Sequence, residues 1–293
     1  LCQPPFLMKE IYTLIDDIYK LFIDKPRTKK PTKAVQKAAE EFAQKVKQHV
    51  LDRVYDERNQ ERKTNLRLSQ VGRPARQLWY NIKGYGQSVD PSGHTQIKFL
   101  YGNILEELLL FLTTMAGHKV EEEQKKVTLN GVTGHKDCRI DGVTVDIKSA
   151  SAHAFRKFEN GSLASDDPFG YIGQLSAYAQ AEGDDEAAFF VIDKQRGTLA
   201  LTFLHDIEME NASQKITDIR SYLKSDDPPP RCYPDVPEGT SGNRKLAIGC
   251  VFCPYKTGCW HDTNGGAGLR TFQYANGPRF LTYVAREPNV PEI

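Results

Sequence analysis

The sequence predicts an α/β fold: a mixed central sheet flanked by helices, with a helical extension before it and a cysteine-rich segment after it. Three observations carry this expectation. Residues 134–151 read GHKDCRIDGVTVDIKSAS, two alternating runs joined by Asp141-Gly142, a strong signal for a two-residue hairpin turn. Residues 97–116 make the most apolar stretch with helical spacing. Residues 187–203 read as a pair of strands set between helical patterns at 169–182 and about 207–224.

Each further element follows in chain order. Residues 8–24 carry apolar side chains at helical spacing, and residues 26–31 make a basic break between prolines. Residues 33–60 read as a long, mostly polar helix with Val35, Ala38, Phe42, Val46, Val50 and Val54 along one stripe. A short helix within 68–82 holds Arg76, Trp79 and Tyr80, whose rings suit either a core or a nucleic-acid contact. Strands are expected around 119–130, and a loop with one short helix at 149–163. Residues 225–249 are rich in Pro, Gly and Ser and read as loop, and 280–284 as one strand. No internal repeat is apparent.

The hairpin carries the chemistry. With Asp141-Gly142 as the turn, Ile140 pairs with Val143, and Asp137 falls opposite Asp146 and His135 opposite Lys148. Side chains alternate, so His135, Asp137, Asp146 and Lys148 share one face. Cys138, Ile140, Val143, Val145 and Ile147 share the other, which reads as core. Facing aspartates destabilise a ladder. A divalent cation between them offsets that repulsion directly. The ordinary alternative is a solvated hairpin with Asp137 satisfied by Lys148 or Arg139. In the apolar helix, Glu106 and Glu107 are adjacent; a carboxylate there is costly unless paired or metal-bound, so one is expected to face inward.

The chain has 293 residues, 39% hydrophobic and 26% charged, enough for a sizeable core. The net charge of +1 hides an asymmetry. Residues 1–80 hold 17 Lys/Arg against 10 Asp/Glu, a net of +7, and the remainder holds 22 against 28, a net of −6. A basic front suits a polyanion or simply a solvated helical face. No apolar run reaches the length of a membrane span, and no secretory signal is visible.

Four short patterns occur in order: Gly102 to Glu106 as G-x-x-x-E, Gly134 to Asp137 as G-x-x-D, Asp146 to Lys148 as D-x-K, and Gln174 to Tyr178 as Q-x-x-x-Y. Together they resemble the PD-(D/E)XK nuclease superfamily, in its RecB-like exonuclease branch, over about residues 68–262. The resemblance implies a restriction-endonuclease-like core and metal-dependent hydrolysis of DNA, exonucleolytic in that branch. Glu106 (with Glu107 as the alternative), Asp137, Asp146 and the Ile147 carbonyl would hold Mg²⁺ or Mn²⁺, hard cations that take oxygen ligands. Lys148 would orient or deprotonate the water or stabilise developing charge, and Gln174 and Tyr178 would brace the site or hold DNA. His135 is a minor candidate ligand. The expected boundaries are 1–67 for the extension, 68–225 for the nuclease core and 226–293 for the cysteine segment and tail.

The cysteines are Cys2, Cys138, Cys232, Cys250, Cys253 and Cys259. The last three form C-x2-C-x5-C, which suits metal ligation better than a disulfide framework. Four thiolates suit either a [4Fe–4S] cluster or a structural Zn²⁺. Nucleases related to the CRISPR-adaptation and AddB-type enzymes resemble this chain in that spacing, which implies iron–sulfur. Their fourth cysteine lies upstream, before a proline. Here that segment is Arg73-Pro74-Ala75-Arg76 and holds none, so Cys232 is the expected fourth ligand. The expected partner is DNA, with no membrane. A homo-oligomer or partner proteins of replication or recombination, and a cytoplasmic setting (a host's, if phage-encoded), accompany the resemblance. Two other readings stay open: an endonuclease on the same fold, and a non-catalytic DNA-binding subunit.

Overall fold

The computed structural model describes residues 9–24, 30–55, 65–85 and 91–293. Cys2, most of the basic break and the end of the long polar helix, residues 56–60, lie outside them. The first helical pattern forms a 3₁₀ turn, Ile11–Thr13, and α1 (Leu14–Ile23). Then come α2 (Lys33–Tyr55), α3 (Ala75–Lys83) and α4 (Gly93–Met115). α2 has no buried residue and lies along α4, where Phe42 stacks on Phe111 with ring centroids 5.3 Å apart.

The central sheet contains β1 (Val120–Glu121), β4 (Cys138–Ile140), β5 (Val143–Ala150), β6 (Ala187–Asp193) and β7 (Leu199–Phe203), in the order β1-β4-β5-β6-β7. β5 and β6 run parallel, while the other neighbours are antiparallel, so the sheet is mixed as expected. The connection from β5 to β6 passes through α5 (Ala152–Glu159) and α6 (Tyr171–Glu182). A parallel pair needs such a crossover. One face of the sheet packs Cys138, Ile140, Val145, Ile147 and Phe190 against Leu105 and Leu109 of α4 and Leu14 and Ile18 of α1. The other face packs Phe189 and Val191 against Phe155 of α5 and Ile172 and Leu175 of α6. α7 (Ala212–Lys224) starts at Asn211, whose side chain accepts the Gln214 N–H.

The Asp141-Gly142 turn forms as expected, with φ of 49° and 89° at the two residues. The register is Ile140↔Val143 and Cys138↔Val145. One pairing differs. His135 does not reach Lys148; it pairs with Lys126 in a separate hairpin of β2 (Lys126–Leu129) and β3 (Val132–His135), and it is exposed. Asn130-Gly131, with φ of 47° and 73°, turns this hairpin. The chain then leaves it at Lys136, which is fully buried between Glu122 and Glu182.

The cysteine-rich part also differs from the expected loop. β8 (Val236–Pro237) and β9 (Arg244–Lys245) join β10 (Arg270–Tyr274) and β11 (Gly277–Tyr283) in a four-stranded sheet, order β10-β11-β9-β8. Strands of two residues show no alternation to read. Between β9 and β10 lie α8 (Ile248–Val251) and α9 (Lys256–Cys259). Trp79 and Tyr80 prove to be core: both are buried, and Tyr80 stacks on Tyr255 at 5.8 Å. Among the described residues no helix is long and apolar enough to cross a membrane.

Candidate active site

The β4–β5 hairpin and the two helices beside it bring the expected carboxylates together. Asp146 lies in the middle of β5 on the face that meets α6, and it is completely buried. Gln174 of α6 donates from Nε2 to Asp146 Oδ1 at 3.0 Å. Asp146 Oδ2 is in ion-pair contact with Lys148 Nζ but receives no hydrogen bond of good geometry. Asp137 stands one residue beyond the last ladder pair, and its Oδ2 accepts the Ile147 N–H at 2.8 Å. Tyr178, 1% exposed, reaches Gln174 with its hydroxyl and packs its ring beside Gly134, where a Cβ would stand 3.0 Å from the ring. The G-x-x-D glycine is thus required by the packing of Leu68, whose own Cβ would stand 2.8 Å from that Cβ, together with the Q-x-x-x-Y tyrosine.

The adjacent glutamates divide their roles. Glu107 turns to α2, with Oε1 3.1 Å from His49 Nε2 and Oε2 3.3 Å from Lys45 Nζ. Glu106 turns toward the aspartates, and its Oε1 accepts from Gln124 Nε2 at 3.0 Å.

The electrostatics record the crowding. Burial, then Asp137, Glu107 and Asp146, push the Glu106 carboxyl up to about 8. Burial and Asp146 push Asp137 up to about 7 against the opposing pull of Lys148 and the Ile147 N–H. Burial likewise raises Asp146, against Lys148. Burial disfavours the Lys148 ammonium, but Asp146 and Asp137 outweigh it and hold the group charged. Three carboxylates that resist ionising together offer the type of oxygen donor a hard cation takes. Among the described residues no three His, Cys, Asp or Glu side chains stand grouped so as to hold a metal ion. Here the Lys148 ammonium meets Asp146, and the neutral Gln124 amide donates to Glu106.

Two residues of this site carried no motif. Gln124 sits in a turn where both it and Glu122 have positive φ, 51° and 53°. Its N–H binds the Asp137 carbonyl at 2.9 Å while its amide holds Glu106, so it ties two carboxylate carriers together. Tyr171 presents its ring to Lys148 Nζ, 5.3 Å from the centroid. It precedes Gln174 by three, a helical spacing that the sequence displays.

The four expected cysteines, Cys232, Cys250, Cys253 and Cys259, line one cavity of about 30 Å³ with Arg76, Tyr255 and Trp260. Cys138 lies apart, buried in the hairpin core as expected. Donors surround the sulfurs: Arg76 Nε lies 3.1 Å from Cys259 Sγ, the Arg76 and Gln77 backbone N–H groups in the first turn of α3 meet Cys232, and the Tyr255 N–H meets Cys253. Burial and the charge of Cys259 push the Cys250 thiol up to about 11, against a bond from Trp260.

No family model matches the chain, and no curated protein matches it. Among solved structures it is similar to an alkaline exonuclease from Laribacter hongkongensis, at 14% identity over 56% of this chain and 89% of that one, with a TM-score of 0.38. It is also similar to a phage related exonuclease from Haemophilus somnus 129PT, at 16% identity over 55% of this chain and 90% of that one, TM-score 0.39. The Laribacter enzyme in complex with dAMP aligns at 15% identity over 54% of this chain and 92% of that one, TM-score 0.32.

Proposed function

We propose that this chain is a Mg²⁺- or Mn²⁺-dependent deoxyribonuclease, exonucleolytic by its motif resemblance. The observation that carries the reading is the buried Asp146, with Asp137 and Glu106 at its side and the Lys148 ammonium against its Oδ2. Oxygen donors with raised proton affinity suit a hard dication, and that donor chemistry is the fit. Glu106, Asp137, Asp146 and the Ile147 carbonyl would hold the ion. When bound it relieves charge on the pentacovalent transition state and activates a water.

The chain's own residues supply the rest. Gln174 fixes the Asp146 carboxylate through Oδ1, and Tyr178 fixes Gln174. Lys148 carries a positive charge into a mostly buried pocket, where it stabilises developing negative charge and orients the attacking water. The motif order supports three segments, 1–67, 68–225 and 226–293, with the middle one carrying the chemistry.

In the third segment, Cys232, Cys250, Cys253 and Cys259 would hold a [4Fe–4S] cluster. A single Zn²⁺ needs four sulfurs at about 2.3 Å from one point. The four thiols share one cavity lining, which suits either group, and the motif resemblance favours the cluster, with a structural Zn²⁺ as the alternative. Cys232 meets the start of α3, next to the Arg73-Pro74 position where related nucleases carry their fourth cysteine, which supports it as the substitute ligand.

Incubation with linear and circular DNA, in Mg²⁺ or in EDTA, tests the function. Mg²⁺-dependent loss of linear DNA alone is the expected result. Cutting of circles assigns an endonuclease, and a shift without cleavage assigns a binding subunit. A brown protein absorbing near ~400 nm marks the cluster; a colourless one carrying zinc contradicts it.

A further inference from the structure

Exposed aromatic rings run outward from Lys148. Tyr171, whose ring faces the lysine, lies 5.6 Å from the ring of Phe169, and Phe169 lies 6.1 Å from the ring of Phe252. Phe169 is 46% exposed and Phe252 64% exposed. Single exposed apolar side chains are ordinary on a protein surface; two aromatic rings in mutual contact, one ring away from the candidate catalytic lysine, are not. Phe252 sits between Cys250 and Cys253, so the cysteine segment sets its place.

A cationic group stands at the same lip. Gly170, between Phe169 and Tyr171, has φ +74°, and a Cβ there would fall 2.7 Å from Arg73 N and 2.1 Å from the Gly72 carbonyl carbon. The close approach of two glycines therefore holds the Arg73 backbone against the segment that carries Phe169 and Tyr171. Arg73 as a residue is exposed, its guanidinium is close enough to Tyr171 and Cys253 to feel their charge and is partly desolvated, and it makes no hydrogen bond or ion pair among the described residues. Rings offering flat faces, next to a cation without an acidic partner and continuous with a phosphodiester-cutting centre, match an unpaired nucleotide: base on ring, phosphate on guanidinium.

We propose that Phe169 and Phe252 form a stacking platform for an unpaired base of the strand being cut, with Arg73 meeting its backbone. The assignment rests on the nuclease reading and adds a substrate subsite to it. It also gives the cysteine segment a direct part in substrate binding, by holding one half of the platform.

The test uses the full-length protein in EDTA with single-stranded oligonucleotides carrying 2-aminopurine at successive positions. The parent is expected to quench the probe at one or two adjacent positions. Phe169→Ala and Phe252→Ala are expected to weaken binding about 5- to 100-fold and abolish that quench, while Phe252→Trp retains both. In Mg²⁺ the same alanine variants raise KM and leave kcat within about twofold. Metal content at the cysteines, measured in each variant, separates loss of the ring from loss of the segment, and Phe169→Ala probes the platform with that segment's own sequence unchanged. Unchanged binding and unchanged quench in Phe169→Ala overturn the proposal. A changed oligomeric state with unchanged DNA affinity also overturns it and assigns the patch to a protein contact. A parent that binds and quenches but never cuts keeps the platform and removes the nuclease reading.

Discussion

The carboxylate site and the cysteine cavity both gather side chains of types that can ligate metals, but they are built in opposite ways. Asp146 and Lys148 belong to an eight-residue strand and pair with Phe189 and Val191 of β6, and Asp137 and Gln174 are hydrogen-bonded to them or to the neighbouring backbone. Their crowding is imposed by the sheet. The cysteines sit on two four-residue helices and adjoining loops, around a gap. With the proposed metal bound there, such short elements would depend on what fills the gap. A site set by the sheet should keep its shape without its ion, and a site set by its ligand should not.

The sharpest way to break this contrast is to remove charge from the first site. Asp146→Ala and Lys148→Ala are each expected to lower kcat by about 10³-fold or more with little change in far-UV circular dichroism. Single-turnover cleavage of end-labelled DNA reads this out, and undiminished cleavage by Lys148→Ala removes the catalytic assignment. Next comes the cysteine segment. Cys250→Ser or Cys259→Ser should release the bound metal and lower the melting temperature by several degrees. Trp79, buried against Ser225 O, and Trp260, against Arg231, should report the loosening by fluorescence. A melting curve unchanged by metal loss would make the two regions alike.

A smaller effect is expected at Gln124. Gln124→Ala should weaken Mn²⁺ binding about 10- to 100-fold. Saturating Mn²⁺ should restore kcat, with thermal stability unchanged in the metal-free protein. Equal Mn²⁺ affinity in parent and variant would strip Gln124 of its positioning role.

The mildest test is pH. Glu106 and Asp137 titrate near about 8 and about 7 when folded, well above ordinary carboxylates. The unfolded chain therefore loses these protons first, and the metal-free protein should lose stability as pH rises from about 4 through about 8. A bound dication displaces the protons, so apparent Mg²⁺ affinity should rise from pH 6 to 8. Calorimetry in buffers of different ionisation enthalpy should show proton release, and none would contradict the crowding.

Much of this architecture was legible because two strong local signals agree with the global fold. Asp141-Gly142 set the hairpin and its register, and the alternation around it placed Asp137 and Asp146 on one face. The same rule, applied to Asn130-Gly131, would have revealed the second hairpin and removed His135 from the site. The β4 ladder ends at Cys138↔Val145 and does not extend to His135, because the chain changes partners at the buried Lys136. Glu106 and Glu107 could not be separated by periodicity; His49 and Lys45, about 60 residues away in sequence, decide between them. Gln124 was silent because a side chain on a tight turn has no period. The C-terminal sheet escaped because two of its strands span two residues each.

The most direct measurement is anomalous diffraction from crystals soaked in Mn²⁺. The account predicts a peak bounded by the Asp137 and Asp146 carboxylates, absent from Asp146→Asn crystals, in a protein that degrades DNA only when the divalent ion is present. No peak there, in crystals of a protein that still cleaves DNA, would contradict it.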